Sequence, residues 1–245
     1  MNQLVSTTGF SLAAYGRLLD ALRYRGYAIV DYEEAEPAKP QLILRHDVDV
    51  CVQNALTMAE YEAAQAIRST YFVLLRSPLY NLLSPENLKA LQTIAGLGHR
   101  VGLHFDATLY RAEAYQDAIA RECEALENLS GTTVDIISFH RPAQALLGYP
   151  DRLAGRFHAY MPRFFSDMGY CSDSRGGWYR GAPLDHPAVD ESKALQLVTH
   201  PIWWIAEEHE TAIDKLDRLV ASRDTQYREA LAANITPYQE VLNAR

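Results

Sequence analysis

Short apolar runs alternate along this chain with longer segments of helical periodicity, and that alternation restricts the fold more than any other feature. Ser11 can cap a helix over 12–25, in which Leu12, Tyr15, Leu18, Leu19 and Leu22 recur at helical spacing before Gly26 stops it. A short strand at 27–30 and an acidic, proline-flanked connection at 31–40 lead to a strand at 41–46. A helix at 52–66, a strand at 71–75 and a helix opened by Ser84-Pro85-Glu86 and ended near Gly96 or Gly98 follow. Then come a strand at 101–103, a helix at 112–129 and a strand at 134–139. The stretch 150–187 reads as a helix at 151–160, a strand around 170–172 and an irregular loop marked by Gly176-Gly177. A strand at 194–198 and helical segments at 207–233 and in the last ten residues complete the chain. Parallel strands need crossovers long enough to hold a helix, so this order makes a parallel sheet or barrel the default.

With 245 residues, 48% of them hydrophobic and 22% charged, the chain can bury a core as one globular domain spanning 1–245. Its net charge of -8, without a local basic block, argues against nucleic acid and against an anionic membrane surface as partners. Cys51, Cys123 and Cys171 have no Cys-x-x-Cys spacing and read as packed thiols. No window is long enough for a membrane span, and the segment 1–10 has neither the basic nor the apolar region of a signal peptide. A cytoplasmic protein is the expectation.

Polar residues fall at the ends of the predicted strands. The apolar run Gln41-Leu42-Ile43-Leu44 delivers His46, Asp47 and Asp49; the next ends deliver His104 and Asp106, then His140 and Arg141, then Asp173, then His200. One such group alone is more often a structural histidine or a helix cap. In a parallel barrel, however, all strand C-termini lie on one face, so these residues converge. Histidine and carboxylate together suit a divalent metal such as zinc. A further carboxylate can take a proton from water, and a separate histidine can protonate a leaving group.

The ordered set Arg45-His46-Asp47-Val48-Asp49, Ser69-Thr70-Tyr71-Phe72-Val73, Gly98-His99-Arg100-Val101-Gly102-Leu103-His104, Phe139-His140-Arg141-Pro142 and Leu197-Val198-Thr199-His200 resembles the polysaccharide deacetylases of carbohydrate esterase family 4, the NodB homology domain. The resemblance spans about 41–204 and is to a divergent branch, similar to O-antigen and surface-polysaccharide biosynthesis proteins. It implies an α/β fold, an irregular β/α barrel commonly of seven strands, and removal of acetyl groups from sugars with a divalent metal. Asp47 matches the catalytic base and Asp49 the metal-binding carboxylate; the family's two acids are adjacent, whereas Val48 separates these, so an exchange of their roles stays open. His104 matches the first histidine of a two-histidine metal motif whose second position is here Thr108. Asp106 can complete a metal set with Asp49 and His104, with His46 and His140 as alternatives; zinc comes first, with cobalt, nickel, manganese and iron also admitted. His99, at the opposite strand end, reads as structural.

By the same resemblance, Arg141-Pro142 is the motif whose guanidinium holds the catalytic aspartate in a charged fork. Asp173 is a candidate to orient that arginine, or else a turn residue, and His200 matches the general acid. Trp178, Trp203 and Trp204 can offer flat surfaces to a sugar ring, and Arg76, Tyr80 and Asn81 sit on a loop that would rise beside the site. The implied activity is hydrolysis of a non-peptide C–N bond in an acylated amino sugar or glycan precursor. Two other readings share these residues: a hydrolase of another amide or cyclic amide on the same barrel, and a non-catalytic sugar-binding homologue.

Overall fold

The structure, a computed structural model, describes residues 9–243. Most of the 1–10 segment weighed above as a leader lies outside the described residues, as does the end of the last predicted helix. The strands are β1 (Ala28–Ile29), β2 (Gln41–Val48), β3 (Thr70–Val73), β4 (Arg100–Phe105), β5 (Ile136–Phe139), β6 (Phe157–His158), β7 (Gly169–Ser172) and β8 (Leu195–Thr199). Every pair is parallel, in the order β6-β5-β4-β3-β2-β8-β7, while β1 pairs with the start of β2. The expected seven-stranded path is therefore present, as an open barrel in which β6 and β7 share no strand ladder. Across that gap Tyr160, Phe165 and Tyr170 pack with ring centroids 5.1–6.1 Å apart. Gln196 of β8 also bridges it, donating to Ala159 O at 3.0 Å and Phe164 O at 2.7 Å.

Helices α1 (Leu12–Tyr24), α2 (Val52–Ala64), α3 (Pro85–Gly96) and α4 (Tyr115–Ser130) provide the larger packed turns, and Ser11 Oγ caps the first by accepting from Ala14 N at 3.1 Å. Because helices cover the sheet, β2 is buried on both faces from Leu42 onward. Ile43 packs with Tyr32 and Phe72 in one cluster, and Leu42 and Leu44 pack with Tyr15 and Leu19 in another. Side chains alternate along a strand, so Arg45 and Asp47 share the inward face with Ile43, and His46 turns outward. Gly102 of β4 makes room for this interior: a Cβ there would lie 2.5 Å from the Phe72 ring and 3.1 Å from Ile136 O.

The helix expected at 151–160 is not formed. Ala154 (φ 49°) and Gly155 (φ 75°) are both left-handed and reverse the chain between Leu153 and Arg156, which exchange backbone hydrogen bonds of 3.0 and 2.9 Å. The chain then enters β6. Single-turn helices α5 (Pro162–Phe165), α6 (Pro187–Asp190) and α7 (Pro201–Trp204) are too short to leave a periodic signal, and α8 (Ala212–Asn234) and α9 (Thr236–Asn243) end the fold. Among the described residues, no helix is long and apolar enough to cross a membrane.

Candidate active site

The base of the site is Asp47, still within β2, with Arg45 two residues earlier on the same face. Arg45 Nε and Nη2 donate to Asp47 Oδ1 and Oδ2, each at 2.8 Å, a two-pronged fork on one carboxylate. The guanidinium is fully buried, bonds Ser138, and stands 5.2 and 5.0 Å from the centroids of Phe72 and Tyr160. Burial pushes the Asp47 carboxyl up, but Arg45, with His104 and His200 beyond it, outweighs burial and holds it below the usual carboxylate value.

Just past the strand end, Asp49 Oδ1 lies 3.0 Å from His104 Nε2 and 3.3 Å from His140 Nδ1. His104 reaches it because β4 runs beside β3, and its Nδ1 is fixed 3.1 Å from Ser138 Oγ. His140 reaches it from the end of β5, where its backbone N donates to Phe105 O at 2.9 Å just before the chain turns at Arg141, a non-glycine residue with φ 61°. The three ligand atoms lie within 4.8 Å of one another, and Asp49 Oδ1 is buried without a well-aligned hydrogen bond. A carboxylate oxygen left in this state between two imidazole nitrogens fits a divalent cation. Burial raises the Asp49 carboxyl, yet His104 and His140 together hold it far below its ordinary range.

His200 faces the same centre from the end of β8, with Nε2 3.6 Å from Asp49 Oδ2. Its Nδ1 is 2.6 Å from Asp173 Oδ1, its backbone N donates to Asp173 Oδ2 at 3.2 Å, and Trp204 Nε1 donates to the same oxygen at 2.7 Å. Burial lowers the imidazole, but the Asp173 carboxylate, with Asp49 and Asp47 behind it, overrides burial and pushes it up to about 9.

Several expectations are corrected. Arg141 does not hold Asp47; its Nη2 bonds Asp106 Oδ2, and Arg45 takes the fork because it shares the inward face of β2. Asp106 does not join the metal cluster: Oδ1 accepts from the backbone N and the Oγ1 of Thr108, at 3.0 and 2.7 Å. Thr108 thus keeps Asp106 in a turn, and His140 takes the third place in the candidate metal set. Asp173 orients His200 and not an arginine. His46 points away, with Nε2 2.9 Å from Glu62 Oε1 on the outer face. His99 is buried, bonded through Nε2 to Ala59 O at 3.0 Å.

A cavity of about 560 Å³ opens over these groups, and none of the four expected substrate contacts lines it. Tyr80 is buried and its hydroxyl donates to Val48 O at 2.8 Å; Trp203 is buried in the apolar cluster outside the barrel. Arg76 stacks on Tyr110, and Asn81 Oδ1 accepts from Leu83 N within its own turn. The walls are instead Tyr160, Phe165 and Tyr170 on one side and Arg175, Tyr179 and Arg180 on another. Sequence reasoning missed all six. It also missed Arg45 as the partner of Asp47, for which a signal was available: a step of two on a strand places both on one face.

Fold and site define a parallel β/α barrel with an acid–histidine centre at its strand C-termini. No family model matches the chain, and no curated protein matches it. The solved structures similar to it include family 4 carbohydrate esterases. A family 4 carbohydrate esterase from Bacillus anthracis is 13% identical, over 86% of this chain and 86% of that one, with a TM-score of 0.44. The Bc1960 peptidoglycan N-acetylglucosamine deacetylase is 14% identical over 84% of this chain and 89% of that one, with a TM-score of 0.45. BA3943, a family 4 pseudoenzyme from Bacillus anthracis, is 15% identical over 76% of this chain and 63% of that one, with a TM-score of 0.42.

Proposed function

We propose that the chain, as one barrel domain over 1–245, is a divalent-metal-dependent hydrolase of the polysaccharide deacetylase type that removes an acyl group, N-acetyl first, from a sugar. Its setting is the cytoplasmic synthesis of an O-antigen or related surface glycan. One observation carries the reading: a forked, ionised Asp47, the Asp49–His104–His140 set and the Asp173-backed His200 all face one cavity. Asp49, His104 and His140 would hold the metal, zinc first, where it supplies Lewis-acid polarisation of the acyl carbonyl and acidifies water. Asp47 takes the proton from the attacking water; Arg45 keeps it ionised for that role. His200 Nε2 gives a proton to the departing amine as the C–N bond breaks, and Asp173, by raising it, keeps that proton available near neutral pH. Acetate and the free amino sugar are the products. Tyr160, Phe165 and Tyr170 offer the sugar an aromatic wall.

The test is acetate release from N-acetylated sugars by metal-loaded protein, with Asp47→Asn as the paired variant. Loss of at least a hundredfold in kcat, the lower end of general acid–base contributions, is expected. Full activity of the variant would refute the assignment of Asp47. Turnover of cyclic amides but not of acetylated sugars would move the reading to another amide, and metal uptake with sugar binding but no turnover would favour a binding protein.

A further inference from the structure

A chain with a net charge of -8 gathers three arginines in the wall of the cavity over its site, Arg141, Arg175 and Arg180. Arg141 is paired with Asp106. Arg175 and Arg180 are exposed, and among the described residues neither side chain has an ion pair or hydrogen bond. The cavity's own carboxylates do not answer them, since Asp47 is forked by Arg45 and Asp49 faces imidazoles. The loop that carries them is tied down. Gly176 N bonds Asp173 O at 2.8 Å and Gly181 N bonds Trp178 O at 3.2 Å, while Trp178 packs on Phe10 and Trp204 at 5.6 and 6.1 Å. Gly176 (φ 72°) has no room for a side chain, because a Cβ would lie 2.9 Å from that of Ala212. Two unpaired guanidinium groups are thus presented from an anchored loop beside the acyl-transfer centre.

Guanidinium groups recognise oxyanions through paired, planar N–H donors, and a ligand that binds such a pair must carry the charge that the protein lacks there. We propose that Arg175 and Arg180 form an anion subsite, so that the acylated sugar entering this cavity carries a phosphoryl or carboxylate group. The inference rests on the hydrolase reading for the word substrate, but its binding test does not.

The experiment is calorimetric titration of wild-type protein and the Arg175→Gln/Arg180→Gln variant with N-acetylglucosamine, N-acetylglucosamine 1-phosphate and N-acetylmuramic acid, alongside acetate release from each. Wild type should bind at least one charged sugar about tenfold or more tighter than the neutral one, a preference that weakens with salt. In the double variant that ratio should fall toward one, with Arg175→Lys/Arg180→Lys in between. Preference for the 1-phosphate alone identifies a phosphoryl ligand, and preference for muramic acid alone a carboxylate. Equal binding of charged and neutral sugars by wild type, or a ratio unmoved in the double variant, overturns the subsite. Acetate release without charge preference would leave the hydrolase reading intact and remove the subsite; charge preference in binding without acetate release would do the reverse. Both positions are exposed, and an unchanged melting temperature verifies that the variants fold.

Discussion

Replacing Arg45 by methionine should be far more damaging than an ordinary buried substitution, because it leaves Asp47 charged without its forked partner. The native pair has two 2.8 Å hydrogen bonds in a site from which Arg45 is fully excluded from solvent and Asp47 nearly so. Removing one member of a buried ion pair costs about 3–5 kcal/mol, a large share of the roughly 5–15 kcal/mol available to a domain. Burial, no longer opposed by Arg45, then raises the Asp47 carboxyl. The sign of the pH effect follows. In wild type the depressed Asp47 contributes stability above the unfolded value of about 3.9 and loses it as pH falls through its lower folded value. In the variant the raised group binds protons more tightly folded than unfolded, so the deficit is largest at pH 7–8 and shrinks toward pH 4. Urea unfolding followed by circular dichroism measures both. Arg45→Met/Asp47→Leu, which removes the orphaned charge, should recover about 2 kcal/mol or more of the loss. If the double variant is no more stable than Arg45→Met, and the deficit is the same at pH 4 and pH 8, the fork does not hold Asp47 in the way described.

Asp173→Asn should lower the His200 value from about 9, since burial is then opposed only by Asp49 and Asp47, and the alkaline limb of kcat should move to lower pH. An unmoved limb would separate His200 from the proton transfer. His158 is fully buried and burial pushes it down to about 4, so the unfolded chain binds the extra proton between about pH 6.5 and 4. Its contribution is complete above pH 6.5 and declines by about 3 kcal/mol as pH falls to 4; His158→Phe should flatten that decline in pH-dependent unfolding. Gly102→Ala should cost about 1–3 kcal/mol from the contact of its Cβ with Phe72, and Phe72→Leu in the same chain should recover part of it in thermal unfolding.

The strand–helix alternation was legible because β2, β3, β4, β5 and β8 each contain an apolar run, and α2, α3 and α4, which connect the first four, are amphipathic over three turns or more. What escaped was set by few residues or by tertiary contact. The reversal at Ala154-Gly155 lacks the Asn-Gly or Asp-Gly sign of a tight hairpin, and α5, α6 and α7 are one turn each. At the site, Asp47, Asp49, His104 and His200 could be placed together from strand ends alone. The choice between Asp106 and His140 could not, because it depends on the hold of Thr108 and Arg141 on Asp106. The cavity's aromatic and arginine walls come from the 150–187 stretch, where periodicity carries least information.

Strand β2 bears ionisable residues on both faces, and the outward one explains how the inward site stays in register. His46 enters a buried cluster centred on Glu62 of α2, whose Oε1 accepts from Tyr15 and meets His46 Nε2 at 2.9 Å. Glu62 Oε2 accepts from Ser69 Oγ at 2.6 Å and Tyr71 Oη at 2.7 Å. Burial raises this carboxyl, but His46 and the hydroxyl donors bring it down to about 2, so the charge persists in the core. On its other side, His46 Nδ1 is 2.6 Å from Thr199 Oγ1, and His46 and Thr199 are register partners across β2 and β8. One carboxylate therefore joins α1, α2, β2 and β3, and through His46 reaches β8 one residue before His200. A slip of β2 by one residue would exchange its faces, sending Asp47 outward and His46 into the cavity. The slip would take His46 away from Glu62 and Thr199 on one side and turn Arg45 away from Ser138 and Gln196 on the other, each at the cost of unpaired buried polar groups. The outer network thus favours the single register in which Asp47 and His200 lie on adjacent strands and face the same cavity.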